Sequence, residues 1–189
     1  MRTGLSRSYI YTSDQLADKV ITYQKIADYT IKTVNIDTHQ INSLRLDYSI
    51  TYGRAKAYLS ADQSYSAGTD TKVQFNTKVF DPNSQYDNIT NYRYTVSSGY
   101  DGQHVVHAQV QVAGHSSANM MALFIEKNGS IVHRKLYSYA AESYGFALDI
   151  TAVLDLVAGD YIEIFVSDVL AGTIKGGSDK TFFEVFRLP

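Results

Sequence analysis

Two histidines are the first residues of this sequence that suggest metal chemistry. His104 and His107 lie three positions apart in a segment that alternates polar and apolar residues. Side chains alternate faces along a strand, so this odd spacing points the two imidazoles to opposite faces and they cannot share one metal ion. A threefold axis between subunits would still gather one histidine from each chain. The other interpretation is an ordinary polar strand position.

Oxygen-bearing side chains form a second group within seven residues, Asp81, Asn83 and Asp87. Calcium prefers such ligands, but Asp-Pro-Asn-Ser is also an ordinary turn, and the turn interpretation is the one we favour. The sequence therefore predicts no metal site. Asn88-Ile-Thr90 and Asn128-Gly-Ser130 match the glycosylation pattern; without an apolar secretion signal near Met1, we expect these segments to be turns.

Catalytic motifs are absent from the sequence. It contains no P-loop, no Gly-x-Ser-x-Gly, no His-Glu-x-x-His and no dinucleotide-binding glycine pattern. Paired glycosidase carboxylates are defined by a distance in the folded chain, so sequence spacing neither identifies nor excludes them. A compact β domain of roughly 135 residues leaves no long loops for a substrate cleft. We predict a protein that is not an enzyme and needs no cofactor.

Tyrosine is the most over-represented side chain, with 16 copies against no tryptophan. Tyr137, Tyr139 and Tyr144 cluster in one segment. Because tyrosine combines a stacking face with a hydroxyl at low rotamer cost, this segment is the predicted ligand-contact surface for sugar or protein. The alternative is that these are strand ends that pack on neighbouring subunits.

Charge and hydropathy exclude several classes of partner. The net charge of −2 and the lack of any Lys/Arg run argue against nucleic acid. No stretch approaches the ~18 apolar residues of a membrane span, so we expect no membrane insertion and a chain made inside the cell. No cysteine is present to form a disulfide or bind a metal.

The first part of the chain carries a repeat with a step of five. Its members are Leu16, Ile21, Ile26, Ile31, Ile36, Ile41 and Leu46. A ten-residue period returns roughly 80° out of register on an α-helix, so a coiled coil is not predicted. Such units cannot bury their aliphatic side chains alone and need either stacked neighbouring units or parallel copies of the chain around an axis. We interpret residues 16–53 as an oligomeric stalk.

From Arg54 the pattern changes to the period of two that is typical of half-buried strands. Further strands are predicted at 72–80, 92–96, 103–113, 119–127, 130–138, 144–153, 160–168 and 181–188. Turn sequences separate them, and Asn128-Gly129 predicts a type I′ hairpin. Many short strands with regular turns favour a sandwich or jelly roll.

Several blocks of this region resemble, in order, the complement and tumour-necrosis-factor jelly roll. They are Ala55–Ser60, Val73–Asp81, Tyr86-Asp87, Gly99–Gly102, Ala122–Gly129, Leu156–Phe165 and Thr181–Leu188. The family's familiar cysteine is absent, and Asn91 stands where a turn glycine is usual. The repeats of residues 16–53, which precede this jelly-roll region, look like those of bacteriophage fibres. The resemblance implies a homotrimeric phage fibre with an all-β, ten-stranded jelly-roll head behind an extended repetitive stalk.

On this interpretation residues 1–15 anchor the chain to a capsid or tail protein, residues 16–53 are the stalk, and residues 54–189 are the head. The expected location is the virion, where the fibre displays its head for host-surface glycan or protein binding. A purely structural decoration and a bacterial surface complement-like module are the alternatives.

Strands that are apolar on both faces also predict self-association, because a lone two-sheet domain needs only one apolar face per strand. The last predicted strand, 181–188, is one of them. The resemblance places it near the trimer interior, with one face on the core. We expect the other face, Phe183 and Val185, to lie at the trimer interface together with Ile21, Ile26, Ile31, Ile36, Ile41 and Leu46.

Overall fold

Alternating burial sets the two faces of each strand. In a computed structural model, which describes residues 53–113, 117–141 and 145–188, Ala55 and Ala57 are buried while Arg54 and Lys56 point outward. These residues belong to one unit, Thr51–Pro189, and none of them lies in a helix. The stalk and anchor predictions fall outside the described residues.

The described residues form thirteen strands. They run over Arg54–Tyr58 (β1), Gln63–Tyr65 (β2), Thr71–Lys72 (β3), Thr77–Phe80 (β4), Tyr86–Asp87 (β5), Arg93–Thr95 (β6), Gly102–Val112 (β7), Asn119–Lys127 (β8), Ser130–Tyr139 (β9), Phe146–Leu156 (β10), Tyr161–Asp168 (β11), Gly172–Ile174 (β12) and Phe182–Arg187 (β13).

Two antiparallel sheets contain all of these strands. The seven-stranded sheet has the order β2-β12-β7-β13-β1-β4, with β10 paired to β7; the six-stranded sheet has the order β5-β6-β11-β8-β9, with β3 paired to β11. The first strand, β1, therefore pairs with the last, β13. This is the predicted all-β jelly-roll sandwich, with more and shorter strands than the ten expected.

Aromatic rings fill the space between the sheets. The Phe183 ring of β13 lies 5.8 Å from that of Phe75 and 5.5 Å from that of Tyr86. The branched residues Ile162, Ile164 and Val166 of β11 face the same core. Burial of such large apolar side chains is the main stabilising contribution to a sandwich.

One predicted strand, 72–80, is divided between the sheets. β3 pairs in the six-stranded sheet and β4 in the seven-stranded sheet. Val73 and Phe75, between them, are buried in the core where the chain crosses. A crossing segment keeps the alternation of a continuous strand, so the sequence pattern did not reveal it.

The predicted hairpin at Asn128-Gly129 is confirmed. Both residues have positive φ, 53° and 76°, as a type I′ turn requires. The Asn128 amide donates to Asp160 Oδ1 at 2.7 Å and its Oδ1 accepts the Tyr161 N–H at 2.9 Å. Lys127 beside it, with the Val157 N–H, lowers the pKa of Asp160 to about 2.

A membrane-crossing helix would have to be long and apolar, and the described part of the chain contains none that qualifies.

Candidate functional site

The outward face of the seven-stranded sheet is not covered by any other strand among the described residues. Its side chains follow from register, because β10, β7, β13 and β1 lie side by side and directly opposite residues share a face. Three rows of four residues result. They are Val153–Val105–Phe186–Arg54, Thr151–His107–Glu184–Lys56 and Asp149–Gln109–Phe182–Tyr58.

The first of these rows is apolar over three of its four strands. Val153 is 57% exposed and Phe186 is 38% exposed, with half-buried Val105 between them. The Phe80 ring of β4 extends the row, 6.1 Å from Phe186, and the Arg54 guanidinium lies 5.6 Å from the centre of that ring. This apolar row runs across the sheet and has no cover within the described chain.

The middle row is polar but internally paired. Lys56 Nζ lies 3.2 Å from Glu184 Oε2, and His107 Nδ1 lies 2.8 Å from Thr151 Oγ1. Lys56 and His107 also lie against Phe182, with Lys56 Nζ 4.6 Å from the centre of its ring and the His107 ring centre 5.7 Å from it. A partner covering this row would meet charges that already have partners, which lowers the cost of removing water from them.

The predicted interface face of β13 is wrong. Phe183 and Val185 are 1% and 0% exposed and belong to the core between the sheets. Phe182, Glu184 and Phe186 form the outward face instead. Both faces of this strand carry aromatic residues, so periodicity alone could not decide which one faces the core.

The predicted tyrosine surface does not assemble as an open contact site. The Tyr137 hydroxyl donates to the Asp149 carbonyl and accepts the Asp149 N–H, the latter at 2.9 Å. The Tyr139 hydroxyl donates to Asp168 Oδ2 at 2.8 Å, and its ring stacks on Phe146 at 4.7 Å. Burial, together with Asp168, raises the pKa of Tyr139. Tyr144 lies outside the described residues.

The two histidines do point to opposite faces, as predicted. His104 is fully buried, with Nδ1 3.0 Å from the Gly102 carbonyl and Nε2 unpaired among the described residues. Burial lowers its pKa, so the neutral ring is favoured. His107 is half-buried on the outward face.

The acidic groups of the 81–91 segment are turn formers. Asp81 accepts the Gln85 and Tyr86 N–H groups at 2.8 and 3.1 Å. Asp87 accepts those of Thr90 and Ile89, both at 3.0 Å, and these bonds hold its pKa well below the usual range. No cluster of three His, Cys, Asp or Glu side chains within the described ranges could hold a metal ion.

Sequence reasoning missed the composition of the outward rows. The signal was present, since Val105, Phe182 and Phe186 alternate with core residues. These residues form one row only because strands that are distant in sequence lie side by side in the sheet. That register depends on contacts about 80 positions apart along the chain, which a local sequence pattern does not reveal.

Comparison with known proteins gives structural likenesses only. No family model matches the chain, and no curated protein sequence matches it significantly. The structure of Eiger TNF from S. frugiperda is 14% identical with a TM-score of 0.54, covering 73% of this chain and 93% of that one.

Two structures of murine APRIL show the same likeness. Those at pH 8.0 and pH 5.0 are each 16% identical with a TM-score of 0.55, and they cover 72% and 71% of this chain and 99% of their own. At such identities the likeness establishes the fold, and the chain has the jelly roll of these TNF-type domains.

Proposed function

We propose that this chain is a structural fibre protein of a bacteriophage virion, whose jelly-roll head assembles as a homotrimer and displays a host-binding surface. The observation that carries the proposal is the uncovered apolar row of Val153, Val105 and Phe186 on the seven-stranded sheet. The proposal includes no catalytic activity.

Self-association would bury that row without requiring a different protein as partner. In a closed ring of three copies, the apolar row of each copy would pack against a different surface of the next copy, and this one contact would repeat around the axis. The flanking Lys56–Glu184 pair supplies polar contacts that tolerate burial. The sequence resemblance to trimeric heads selects three copies among the possible closed assemblies.

The repeat before the head supports the fibre part of the proposal. Its aliphatic residues at a step of five, from Leu16 to Leu46, need cover, and parallel copies around an axis would supply it. Three heads held by one stalk satisfy that requirement and the requirement of the apolar row together. Residues 1–15 would then attach the fibre to a capsid or tail protein.

Light scattering coupled to size-exclusion chromatography of the full chain tests the assembly. We expect a trimeric mass for the unaltered chain and a lower mass for Phe186→Glu and Val153→Glu at micromolar concentration. Ile89→Glu is the matched control, because Ile89 is an exposed apolar residue (76%) in the Asp87 turn. A monomeric unaltered chain, or variants that stay fully trimeric, would contradict the proposal.

A structural decoration without a receptor is the second candidate, and one observation favours it. The hydroxyls of Tyr137 and Tyr139, the residues predicted to contact a ligand, are used inside the head. Binding of the labelled full chain to host cells separates the two functions. Saturable binding supports display, and a trimer that binds no host surface supports decoration. A bacterial surface complement-like module is the further alternative, and the absence of the protein from purified virions would favour it.

A further inference from the structure

A second surface, on the six-stranded sheet, has the features of a small-ligand site. A pocket of about 340 Å³ opens on the outward face of this sheet between β8, β9 and β11. This volume lies at the lower end of the range of ligand pockets, ~300–1,000 Å³, and suits one or two rings. It lies on the opposite sheet from the apolar row.

Aliphatic side chains form the floor and rim of the pocket. Leu136, Ala122 and Ser167 lie directly opposite one another on β9, β8 and β11 and share this face. Leu136, Met120 and Val169 are exposed large apolar residues that all line the pocket. A ligand here must bring an apolar face of its own.

A cation without an anionic partner stands at one wall. Arg134 lies one row from Leu136, with its guanidinium 5.2 Å from the centre of the Phe124 ring, and makes no ion pair with any described residue. A cation–π contact of this kind holds a guanidinium near the ring and leaves its N–H groups available to a ligand. A guanidinium without an anionic partner presents a planar set of donors that suits a carboxylate.

Free hydrogen-bonding groups complete the lining. Asp70 and Ser167 make no side-chain hydrogen bond with the described residues, and Asn119 uses only Oδ1, which accepts the Met120 N–H at 2.9 Å. An ionised carboxylate only accepts hydrogen bonds, so Asp70 would accept them from O–H or N–H groups of a ligand.

The wall next to these groups is held rigidly. Asp168 accepts the Tyr139 hydroxyl at 2.8 Å and the Leu170 N–H at 3.0 Å, and its carbonyl accepts the Gly68 N–H at 2.7 Å. These bonds fix the 68–70 and 167–170 segments relative to the sheet. A pocket built in this way needs little ordering when a ligand binds.

We infer that this pocket binds an acidic saccharide, a sugar ring that carries a carboxylate. The C–H face of the ring would lie on Ala122 and Leu136, the carboxylate would pair with Arg134, and ring hydroxyls would donate to Asp70 and bond with Ser167. This inference rests on the proposed display function and names the class of host-surface ligand that the head would recognise.

Isothermal titration of the full chain tests the inference with a defined pair of probes. One probe is a tetrasaccharide of alternating glucuronic acid and N-acetylglucosamine; the other is the same tetrasaccharide with its carboxylates reduced to alcohols. We expect binding of the acidic probe and at least tenfold weaker binding of the reduced one, since a charge-assisted hydrogen bond is lost.

Arg134→Gln and Lys135→Gln form the matched pair of variants. The two residues are adjacent on β9 and carry the same charge, but Lys135 pairs with Asp149 at 3.3 Å and does not line the pocket. Arg134→Gln should weaken binding of the acidic probe about tenfold to a hundredfold, and Lys135→Gln should change it less than threefold. Leu136→Ser should also weaken it, through loss of the apolar platform.

Three outcomes would overturn the inference. Equal losses in the two glutamine variants would indicate diffuse charge attraction, and equal binding of a peptide of the same charge would show that no sugar is recognised. A trimeric chain that binds neither probe at millimolar concentration removes the inference and leaves the proposed assembly intact. A monomeric chain would contradict the proposed assembly, and the two glutamine variants would still test binding in the pocket.

Discussion

At the scale of single residues, His104 makes the head sensitive to acid. The ring is buried and its folded-state pKa is lowered, so the folded protein binds a proton less readily than the unfolded chain. Stability contributed by the neutral ring is therefore present above the unfolded pKa of ~6.5 and is lost as the pH falls toward the folded value.

We expect the free energy of unfolding of the head to decrease between pH 7 and pH 5. His104→Asn should flatten that slope, because asparagine can still donate to the Gly102 carbonyl but does not titrate in this range. Urea unfolding at several pH values measures it. An equal slope in the variant would assign the acid sensitivity to other groups.

Glu126 is the second residue whose shifted pKa should affect the stability of the head. It lies directly opposite Glu163 across β8 and β11, and Lys72 Nζ bonds to Glu163 at 2.5 Å. Burial, then the charges of Glu163 and Asp70, raises the pKa of Glu126. Two like charges facing each other on adjacent strands destabilise a sheet.

Glu126→Gln should raise the free energy of unfolding by about 0.2–1 kcal/mol at pH 7. The raised pKa means that the charged form is the unfavourable one, so the gain should disappear as the pH falls below ~4.3, where the unaltered glutamate is also neutral. Thermal unfolding at pH 7 and at low pH checks both statements. A gain that persists at low pH would indicate a packing effect instead.

At the scale of elements, the two faces of β13 have different roles that substitution separates. Val185 faces the core and Phe186 faces outward. Val185→Asp places an unpaired carboxylate in the core, where the cost is several kcal/mol, so we expect the head to lose its folded structure at every protein concentration. Phe186→Glu should leave a folded head of lower mass.

Near-ultraviolet circular dichroism with light scattering distinguishes these results. A Val185→Asp chain that is folded but monomeric would show that the burial assigned to this face is wrong. Ser60→Asp serves as the control, since Ser60 is exposed and only its backbone N–H is used, bonding to Asn76 Oδ1 at 2.9 Å.

Long strands and their turns were predictable from the sequence, and short ones were not. The bounds predicted for β8 are those observed, because 119–127 is a long apolar run that ends at Asn128-Gly129. β2, β5 and β12 have two or three residues each, too few to show a period. They exist because tertiary contacts supply their partners.

The candidate sites were harder to predict from the sequence than the strands, because they depend on which side chains the folded sheet brings to one face. Tyr137 and Tyr139 have the composition of a contact surface, but their spacing of two on β9 places both toward the interior. Arg134 and Leu136 lie on the opposite face of the same strand. A shift of one position separates these faces, and only the register of the sheet determines which one is outside.

At the scale of the whole molecule, residues 1–15 are predicted to matter for attachment and not for folding. They lack the step-of-five repeat and precede both the repeat and the described strands. A chain without them should remain a soluble trimer with unchanged thermal stability but should be missing from purified particles. Normal incorporation of the shortened chain, measured by quantitative immunoblotting of virions, would contradict the anchoring role.

The pairing of β1 with β13 has a consequence for biosynthesis. β13 lies between β7 and β1 in the seven-stranded sheet, and it is the last of the described strands to leave the ribosome. Nascent chains that stop short of Thr181 lack this central strand and the Phe183 ring that fills the core. Translation fragments should therefore be degraded by proteases and should not assemble with other copies, so that folding itself selects chains that contain β13.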